Sequence, residues 1–481
     1  MDFNFFTKRK KKDTIKVVKE EPGISVGLDI GTTKVVAFAG RRMANGKIEV
    51  LGHGMHQSLG VQRGLVINIA QTAKIIQQVI RKLQDDANMD IDTVMVGIAG
   101  QYISNIKVTS DMKRQHADAD TEITKEDIKQ FIENMFKTPT DPGTQIIDVI
   151  PQEYVVDKYP PQKNPIGMTG TVISSEFNII TCKTQHIKNI LQSVAKCNLK
   201  MEGLELEPIA SAEVVLDEEE KETGVALIDI GGGTTDIVIF IDGIMRYTAV
   251  IPIAGDVITE DIKYLFKGIT KEQAEALKCE HGSTLPNVAD KNQIISIPGI
   301  HGREPIEISK YDLACGIKYR MEDVLSRIDT ELDSSGCKER LNCGIVFTGG
   351  GAQMNGLKEF TEVKLGMKVR IGKPEEKILF KENDVLVDPR FATGLGLMIM
   401  GIEQQEEEYN NDFSEEEYSQ KNQNLKDLEK EENEIEKEQT KKPPIRGRIS
   451  KEILDKLLGK LLPDDDLSDT DDDDFDDDDR I

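Results

Sequence analysis

Two segments of the sequence each place an aspartate before a turn rich in glycine and threonine. Residues 26–38 read VGLDIGTTKVVAF, and residues 226–240 read ALIDIGGGTTDIVIF. In both, an apolar run typical of a β-strand ends in Asp, the turn follows, and a second apolar run begins. Glycine lets a backbone approach an anion closely, turn N–H groups donate to phosphate oxygens, and threonine hydroxyls add donors. Each segment is therefore predicted to be a β-hairpin whose turn can bind phosphate.

The aspartates before the turns, Asp29 and Asp229, suit a metal ion better than a phosphate. A carboxylate repels phosphate, whereas Mg²⁺ keeps several waters and takes few carboxylates, so each Asp can hold Mg²⁺ through water. Either segment alone has a simpler interpretation as a tight hairpin, because glycine-rich turns are common. The repeat, with copies about 200 residues apart, favours a duplicated domain whose two turns clamp the β- and γ-phosphates of a nucleotide.

A third glycine-rich element, residues 345–357, reads IVFTGGGAQMNGL. An apolar run ends in Gly349–Gly351 and a helix follows, which would suit an adenosine or a phosphate edge. The sequence has no GxxxxGK[ST] motif and no GxGxxG after a strand. A P-loop protein and a Rossmann dinucleotide site are therefore disfavoured.

Composition narrows the function classes further. The 481 residues carry a net charge of −25, which argues against a general nucleic-acid binder. The six cysteines form no CxxC pair and fit a reducing cytosol, and the six histidines show no metal-binding pattern. No apolar run is long enough to span a bilayer, and the basic N-terminus lacks the apolar stretch of a secretory signal.

Between these motifs, the helical spacing of apolar residues predicts helices at 69–83, 187–194 and 317–332. Helices that alternate with strands indicate an α/β fold. Near the C-terminus, a polar stretch at about 403–442 is predicted to be a disordered or partly helical linker. An apolar stripe at helical spacing follows, and then an Asp-rich tail. The stripe comprises Ile449, Ile453, Leu454, Leu457, Leu458, Leu461 and Leu462.

The striped segment is predicted to be an amphipathic helix that lies on a membrane, with its lysines facing anionic headgroups. The alternative is a helix that docks on its own globular body or on a partner. The Asp-rich tail could weaken membrane binding, shield the helix in solution or recruit a basic partner. The basic N-terminal arm is either a second membrane contact or a solvated tail.

The three glycine motifs, in this order and spacing, resemble those of the actin, heat-shock chaperone and sugar-kinase superfamily. Within it, further blocks resemble the bacterial cell-division family FtsA. These are residues 60–64, 151–157, 165–170, 202–211, 251–262 and 388–396. Two features depart from that pattern. Ala254 stands where glycine is expected, and an acidic tail follows the last predicted helix.

The resemblance implies an α/β fold of the actin-like type, with two lobes, duplicated mixed β-sheet cores and an FtsA-type inserted subdomain. Lobe 1 would comprise residues 24–101 and 181–212, and the insert, subdomain 1C, residues 102–180. Lobe 2 would comprise 213–254 and 341–402, with its smaller subdomain 2B at 255–340. Outside the lobes lie a basic arm (1–23), a charged linker (403–445), the membrane helix (446–462) and the tail (463–481).

The resemblance also implies ATP and Mg²⁺ in the cleft between the lobes, with Asp29 and Asp229 near the metal. Glu275 and Lys278 would flank the ribose or base, although an exposed i,i+3 helical pair is an equal alternative. The implied nucleotide residues are Gly31, Thr32, Thr33, Lys34, Gly231, Gly232, Gly233, Thr234, Thr235, Gly255, Glu275, Lys278, Gly349, Gly350 and Gly351.

In function, the resemblance implies an adaptor that assembles with copies of itself and ties the tubulin-like protein FtsZ to the cytoplasmic face of the inner membrane at the division site. Arg320 and Asp323 are candidate contacts for the FtsZ C-terminal tail, against the alternative of a solvated helix face. Other division proteins are further expected partners.

Two rival functions share the fold. The first is an enzyme, a kinase or a chaperone-like ATPase, for which slow ATP hydrolysis remains possible without an assignable catalytic base. The polar stretch at 403–442 disfavours the folded substrate domain that a chaperone needs. The second is a scaffold for another membrane machine, such as a pilus-assembly actin homologue, which the FtsA-like insert and the terminal helix disfavour.

Overall fold

The structure is a computed structural model that describes residues 23–114, 121–288, 293–299, 303–374, 377–379 and 386–409. The predicted membrane helix, the Asp-rich tail and nearly all of the basic N-terminal arm and charged linker lie outside these residues.

The described elements alternate between strands and helices over most of the chain. The strands are β1 (Ser25–Ile30), β2 (Lys34–Arg42), β3 (Ile48–Gln57), β4 (Val61–Gln62), β5 (Leu65–Val66), β6 (Thr93–Ile98), β7 (Ile103–Lys113), β8 (Thr144–Val156), β9 (Val172–Lys183), β10 (Lys200–Leu206), β11 (Val225–Ile230), β12 (Thr235–Ile241), β13 (Ile244–Ile251), β14 (Ile294–Ile297), β15 (Ile306–Ser309), β16 (Gly344–Thr348), β17 (Val369–Ile371) and β18 (Ile378–Leu379). The helices are α1 (Ile69–Ala87), α2 (Lys125–Met135), α3 (Thr184–Ala195), α4 (Glu207–Val215), α5 (Glu218–Thr223), α6 (Gly255–Leu265), α7 (Lys271–His281), α8 (Lys310–Ser334), α9 (Leu357–Leu365) and α10 (392–409).

Two mixed sheets repeat one topology, which confirms the predicted duplication. The first sheet has the order β10-β6-β1-β2-β3-β18 and the second β13-β12-β11-β16-β17. In each, an antiparallel meander of three strands is followed by two parallel strands on the far side of its first strand. The two predicted hairpins are β1–β2 and β11–β12, and they occupy the same place in their sheets.

The hairpin strands read as continuous apolar runs because both faces of their sheets are covered. In β11, Val225 and Leu227 pack into one hydrophobic cluster, whereas Ala226 and Ile228 pack into another on the opposite face. This alternation follows from the two-residue period of a strand. The hairpin is therefore held rigidly from both sides.

The three predicted helices are present and longer than the apolar spacing indicated, as α1, α3 and α8. Capping accounts for the earlier start of α8, because the Ser309 side chain accepts a hydrogen bond from Asp312 N at 3.3 Å and the helix begins at Lys310. α1 begins at the predicted Ile69, where the Asn68 side chain accepts a hydrogen bond from Gln71 N at 3.1 Å, and its extension lies at the C-terminal end, residues 84–87.

Two insertions extend the duplicated body. Between β6 and α3 the chain forms a three-stranded antiparallel sheet, β7-β9-β8, covered by α2. Its separate core contains Phe131 and Phe177, whose rings meet edge to face at 4.9 Å. Between β13 and β16 the chain forms α6, α7, α8 and the β14–β15 hairpin.

Candidate functional site

A cavity of about 520 Å³ is lined by both hairpin turns, the start of α6, part of α7 and the loop after β16. Its volume falls in the range of small-molecule sites. The predicted nucleotide and metal residues that line it are Asp29, Gly31, Thr32, Thr33, Lys34, Asp229, Gly231, Gly232, Gly233, Thr234, Gly255, Glu275, Lys278, Gly349, Gly350 and Gly351. The structure therefore brings together residues that are more than 300 positions apart in the chain.

Thr235 is the predicted residue that lies away from the cavity. It belongs to β12, is fully buried, and its Oγ1 donates a hydrogen bond to Ile253 O at 2.8 Å. The turn ends one residue earlier than the motif suggested, because the strand register begins at Thr235, which pairs with Ile230.

The two turns touch each other across the cavity. A Cβ atom added to Gly232 would overlap Thr33 Oγ1, and one added to Gly233 would lie 2.5 Å from Thr32 Oγ1. Only glycine permits this approach, which leaves backbone N–H groups and threonine hydroxyls of both turns at the cavity wall. A phosphate chain placed there would meet donors from both sides.

The first hairpin neutralises its own carboxylate. Asp29 is only 3% exposed, and Lys34 Nζ donates to its Oδ2 at 2.9 Å. An opposite charge at this distance stabilises a buried carboxylate. Both residues line the cavity, so the first turn presents a balanced ion pair.

Neither acid of the second hairpin forms an ion pair among the described residues, and Lys34 acts on Asp229 only through its charge. Asp229 accepts hydrogen bonds from Ser211 Oγ at 3.0 Å and Thr393 Oγ1 at 3.3 Å, and Asp236 accepts one from Thr234 Oγ1 at 3.0 Å. Burial raises the pKa of Asp229. Burial, with the charge of Asp229, raises the pKa of Asp236 to about 8. Hydroxyl donors alone do not balance two buried carboxylates.

Glu207, the first residue of α4, is an acid that the sequence motifs did not assign to the site. It lines the cavity, and burial together with the charges of Asp29, Asp236 and Asp229 raises its pKa well above the ordinary value. Its position at a strand–helix junction directly before Pro208 was visible in the sequence, but nothing local indicated that it faces both hairpins. Asp236 was likewise visible only as the residue that follows the threonine pair of the second repeat, and the strand register places it where the first repeat has Val36.

The acids are not arranged as a direct metal cage. Among the described residues, no group of three or more His, Cys, Asp or Glu side chains is placed to hold an ion together. One oxygen nevertheless lacks a partner, since Asp236 Oδ1 is buried and makes no hydrogen bond. Such an atom is available as an acceptor for water or as a ligand for a cation.

The ammonium group of Lys278 makes its hydrogen bonds within the protein. It donates to Gly255 O at 3.1 Å, Thr259 Oγ1 at 2.9 Å and Glu275 Oε2 at 2.7 Å, which uses all three of its N–H donors. Burial alone would raise the pKa of Glu275, but the charge and hydrogen bond of Lys278, with one from Thr259, lower it. With a side chain 11% exposed, Lys278 is not half of an exposed helical pair. It fastens α7 to the backbone of Gly255.

Gly255 in turn is joined to the second hairpin, because its N–H donates to Gly231 O at 3.1 Å. The residue before it, Ala254, is buried and occupies the position where the family pattern led us to expect glycine. The turn forms with alanine in place, at φ −158°.

The third glycine element differs from the predicted direct start of a helix. A 3₁₀ turn, Gly350–Gln353, follows β16, and α9 begins only at Leu357. Gly349 has φ 83°, and a Cβ atom on it would overlap Asp229 Oδ1. Glycine is required here because any side chain would displace the carboxylate of the second hairpin.

Arg320 and Asp323 lie on α8, away from the cavity. Arg320 forms ion pairs with Asp261 at 2.5 Å and with Asp323 at 2.9 Å. Beside them a separate groove is lined by Tyr264, Leu265 and Tyr319. The predicted membrane residues, Ile449 to Leu462, lie outside the described residues. None of the helices in the described part of the chain is long and apolar enough to cross a bilayer.

Comparison with known proteins adds family relationships to this geometry. A family model described as "Cell division protein FtsA" matches residues 226–396, and one described as "SHS2 domain inserted in FTSA" matches residues 100–181. Cell division protein FtsA of Pseudomonas aeruginosa is 37% identical over 380 residues, covering 79% of this chain and 89% of that protein. The Escherichia coli K12 protein of the same name is 34% identical over 385 residues, covering 79% and 90%.

Solved structures share the fold at low sequence identity. The PilM–PilN type IV pilus biogenesis complex gives a TM-score of 0.56 at 16% identity, covering 79% of this chain and 98% of that one. MreB5 of Spiroplasma citri bound to ADP gives a TM-score of 0.51 at 13% identity, covering 80% and 98%. These similarities establish an actin-like fold. The function has to be inferred from the site, because proteins of one fold can differ in function.

Proposed function

This chain belongs to the FtsA family of cell division proteins, and from that premise we propose that it is an ATP-dependent adaptor that anchors the FtsZ ring to the inner membrane. The observation that carries the nucleotide part is the pair of facing hairpins with four acids, Asp29, Glu207, Asp229 and Asp236, around one cavity. Lys34 is the one cation that interacts with more than one of these acids in the described part of the cavity.

The residues present fit ATP with Mg²⁺. Turn N–H groups and the hydroxyls of Thr32, Thr33 and Thr234 would hold the phosphates. Asp229 and Asp236 would hold Mg²⁺ through water, which suits an ion that takes few carboxylates and an unpartnered Asp236 Oδ1. When bound, Mg²⁺ supplies positive charge to the phosphates. Gly349–Gly351 and Glu275 would border the adenosine, while Lys278 acts by holding Gly255 in place.

Glu207 is the candidate group for proton transfer in any ATP hydrolysis. Burial, with the charges of Asp29, Asp236 and Asp229, raises its pKa well above the ordinary value and so favours the protonated form, and a protonated carboxyl group does not accept a proton from water. Slow turnover is therefore the expectation, as suits a structural adaptor better than a kinase.

The groove beside Arg320 is the proposed site for the FtsZ C-terminal tail. Tyr264 is 79% exposed and Tyr319 is 73% exposed, so the groove offers apolar contact area that the described residues leave uncovered. Arg320 is already paired with Asp261 and Asp323, so a partner carboxylate would have to exchange with one of them. Asp323 thus acts by holding Arg320 rather than by direct contact.

The membrane part of the proposal rests on the apolar stripe at 449–462 and on family membership. The amphipathic helix would place the chain peripherally on the cytoplasmic face of the inner membrane at the division site. Self-assembly and contacts with other division proteins complete the proposed role.

Co-sedimentation with anionic liposomes, with and without ATP and Mg²⁺, tests the adaptor function. The whole chain is expected to pellet, and a chain ending at Pro444 is expected to stay in solution. Ile453→Asp, on the stripe, should abolish pelleting, whereas Gly459→Asp, on the opposite face of the helix, adds the same charge and should preserve it. Equal pelleting of both variants, or no pelleting of the whole chain, would contradict membrane anchoring by this helix.

A further inference from the structure

The helices α1 and α3 lie in two segments without acidic residues in a strongly acidic chain. Residues 50–84 and 177–201 contain no Asp or Glu, although the chain carries 86 of them and a net charge of −25. The helices pack side by side, since both contribute to one hydrophobic cluster and Cys197 Sγ donates to Ala73 O at 3.2 Å. Their exposed sides therefore form one surface, here called the α1–α3 surface.

The α1–α3 surface carries positive charge. Lys74 and Arg81 on α1, and Lys196 just after α3, are exposed, and none of the three forms an ion pair with the described residues. Exposed positions between them include neutral glutamines. On α3, Leu191 adds an apolar side chain that is 39% exposed. The surface thus combines unpaired cations, neutral polar groups and an apolar contact.

The helix α10 joins the predicted membrane segment to the folded part of the chain, and it ends close to this surface. In its last turns, Gln405 Nε2 donates to Glu202 Oε1 at 2.9 Å. Glu202 lies on β10, the strand that directly follows α3 and Lys196. Beyond α10 the sequence continues to the apolar stripe at 449–462. A chain anchored through that stripe is therefore tethered from an edge that borders the α1–α3 surface.

Screening makes the charge of this surface more important than the net charge. At physiological ionic strength charges interact over about 8 Å, so an anionic bilayer responds to the protein surface nearest to it. Most orientations of a chain with net charge −25 would bring carboxylates to the lipid. A surface with Lys and Arg and no acid is attracted instead, and an exposed leucine can enter the headgroup region.

We propose that the α1–α3 surface is a direct contact between the folded part of the chain and the anionic bilayer. It orients the anchored chain, with α1 and α3 toward the lipid. Three cations give a weak contact, which does not hold the chain to a membrane without the amphipathic helix. The proposal rests on the membrane anchoring proposed above and adds the orientation of the anchored body.

The whole chain carrying both Lys74→Gln and Lys196→Gln tests this contact. Both side chains are exposed, so their replacement should leave folding unchanged. Binding is titrated at physiological salt with vesicles of equal parts phosphatidylglycerol and phosphatidylcholine. A lysine near an anionic surface contributes about fivefold to affinity, so we expect the dissociation constant to rise about tenfold or more. The difference should shrink at high salt.

The double replacement of Lys358→Gln and Lys368→Gln is the matched control. These lysines are exposed on α9 and just after it, beside the second sheet, and their loss changes the net charge equally. Because they lie outside the α1–α3 surface, the dissociation constant should stay within about twofold of that of the unmutated chain.

The outcomes separate this inference from the anchoring itself. A whole chain that binds no anionic vesicles overturns both. Vesicle binding that is unchanged in the Lys74 and Lys196 variant, or weakened equally in the two double variants, overturns the inference alone.

Acetylation of surface lysines in the unmutated chain gives a second measurement that needs no variant. Slower acetylation of Lys74 and Lys196 on vesicles than in solution, with Lys358 unchanged, supports the contact. Equal rates overturn it. Slow acetylation of both lysines already in solution also overturns it, because the surface is then covered by protein.

Discussion

The two glycine-rich hairpins, β1–β2 and β11–β12, have the same topology and opposite charge arrangements. In the first, the residue after the threonine pair is Lys34, which neutralises Asp29 at 2.9 Å. In the second, the strand register places Thr234 at the position of Lys34. Asp236 pairs across the strands with Asp229 where Val36 pairs with Asp29, and it adds a second buried acid. One hairpin is electrically complete within the protein, and the other is not.

This difference assigns separate roles to two copies of one motif. The second hairpin replaces an ammonium group with hydroxyl donors, Ser211, Thr393 and Thr234, which stabilise a carboxylate much less than a full positive charge does. The buried acids of the second hairpin lack a balancing positive charge, which a divalent cation would supply. The first hairpin already contains its balancing charge and needs no bound cation. From this asymmetry we expect Mg²⁺ to bind on the side of the second hairpin, a narrower prediction than the symmetrical one made from the sequence.

Removing Lys34 should have the largest effect on this comparison, because it makes the first hairpin resemble the second. Lys34→Met leaves Asp29 buried beside other acids, and loss of one partner of a buried ion pair costs about 3 kcal/mol. Urea unfolding without nucleotide or Mg²⁺ measures the loss. Lys82→Met is the control, since exposed Lys82 donates to Met55 O and should change stability little.

A double variant decides whether the cause is charge. Adding Asp29→Asn to Lys34→Met removes the unpaired carboxylate and should restore most of the lost stability. If the double variant is as unstable as Lys34→Met alone, packing of the lysine stem accounts for the loss, and the two hairpins do not differ in the way described.

Titration of Asp236 should make the free energy of unfolding depend on pH, with an effect smaller than that of Lys34→Met. Its pKa is about 8 in the folded chain and 3.8 as the ordinary value, so between these the folded state holds a proton that the unfolded state lacks. Its contribution to stability is complete below pH 3.8 and is lost as pH rises through 8. Each pH unit in this window lowers the free energy of unfolding by about 1.4 kcal/mol while the folded chain keeps the proton. Because Asp236 is already partly deprotonated near pH 8, the loss from pH 6 to 8 is about 2 kcal/mol.

Asp236→Asn should remove this part of the pH dependence, because an amide does not titrate. Unfolding free energies at pH 6, 7 and 8 without Mg²⁺ measure the slope, with exposed Asp85→Asn on α1 as the control that should keep it. The slope of the unmutated chain should also flatten when Mg²⁺ and ATP are added. An equal slope in Asp236→Asn and the unmutated chain would contradict the charge deficit of the second hairpin.

The sequence allowed the local parts of this site to be predicted, because a strand–turn–strand motif carries its own signal. Both hairpins, the three helices and the actin-like fold were predicted and are confirmed. Family membership was predicted from short blocks and is confirmed. The ligand roles of the cavity residues stay predictions.

Other parts were not predictable, because they depend on packing between distant segments. Glu207 is 178 positions from Asp29 along the chain, yet the fold places both at one cavity. The i,i+3 spacing of Glu275 and Lys278 gave no sign that the lysine would bond to Gly255. Thr235 was assigned to the turn because a motif does not reveal where strand pairing begins.

The variant with the smallest expected effect tests whether hydroxyl donors stabilise Asp229 in place of the lysine that the second hairpin lacks. Ser211→Ala removes the 3.0 Å hydrogen bond to Asp229 and should cost about 1 kcal/mol. The loss should be larger at pH 8 than at pH 5, because the donor favours the charged carboxylate, whose pKa is already raised by burial. Ser193→Ala is the matched control, since this fully buried serine donates to Asn189 O at 2.8 Å within α3 and should lose stability equally at both pH values. If both serine variants show the same pH-independent loss, Ser211 only fills space, and the second hairpin depends on a bound cation alone for its charge balance.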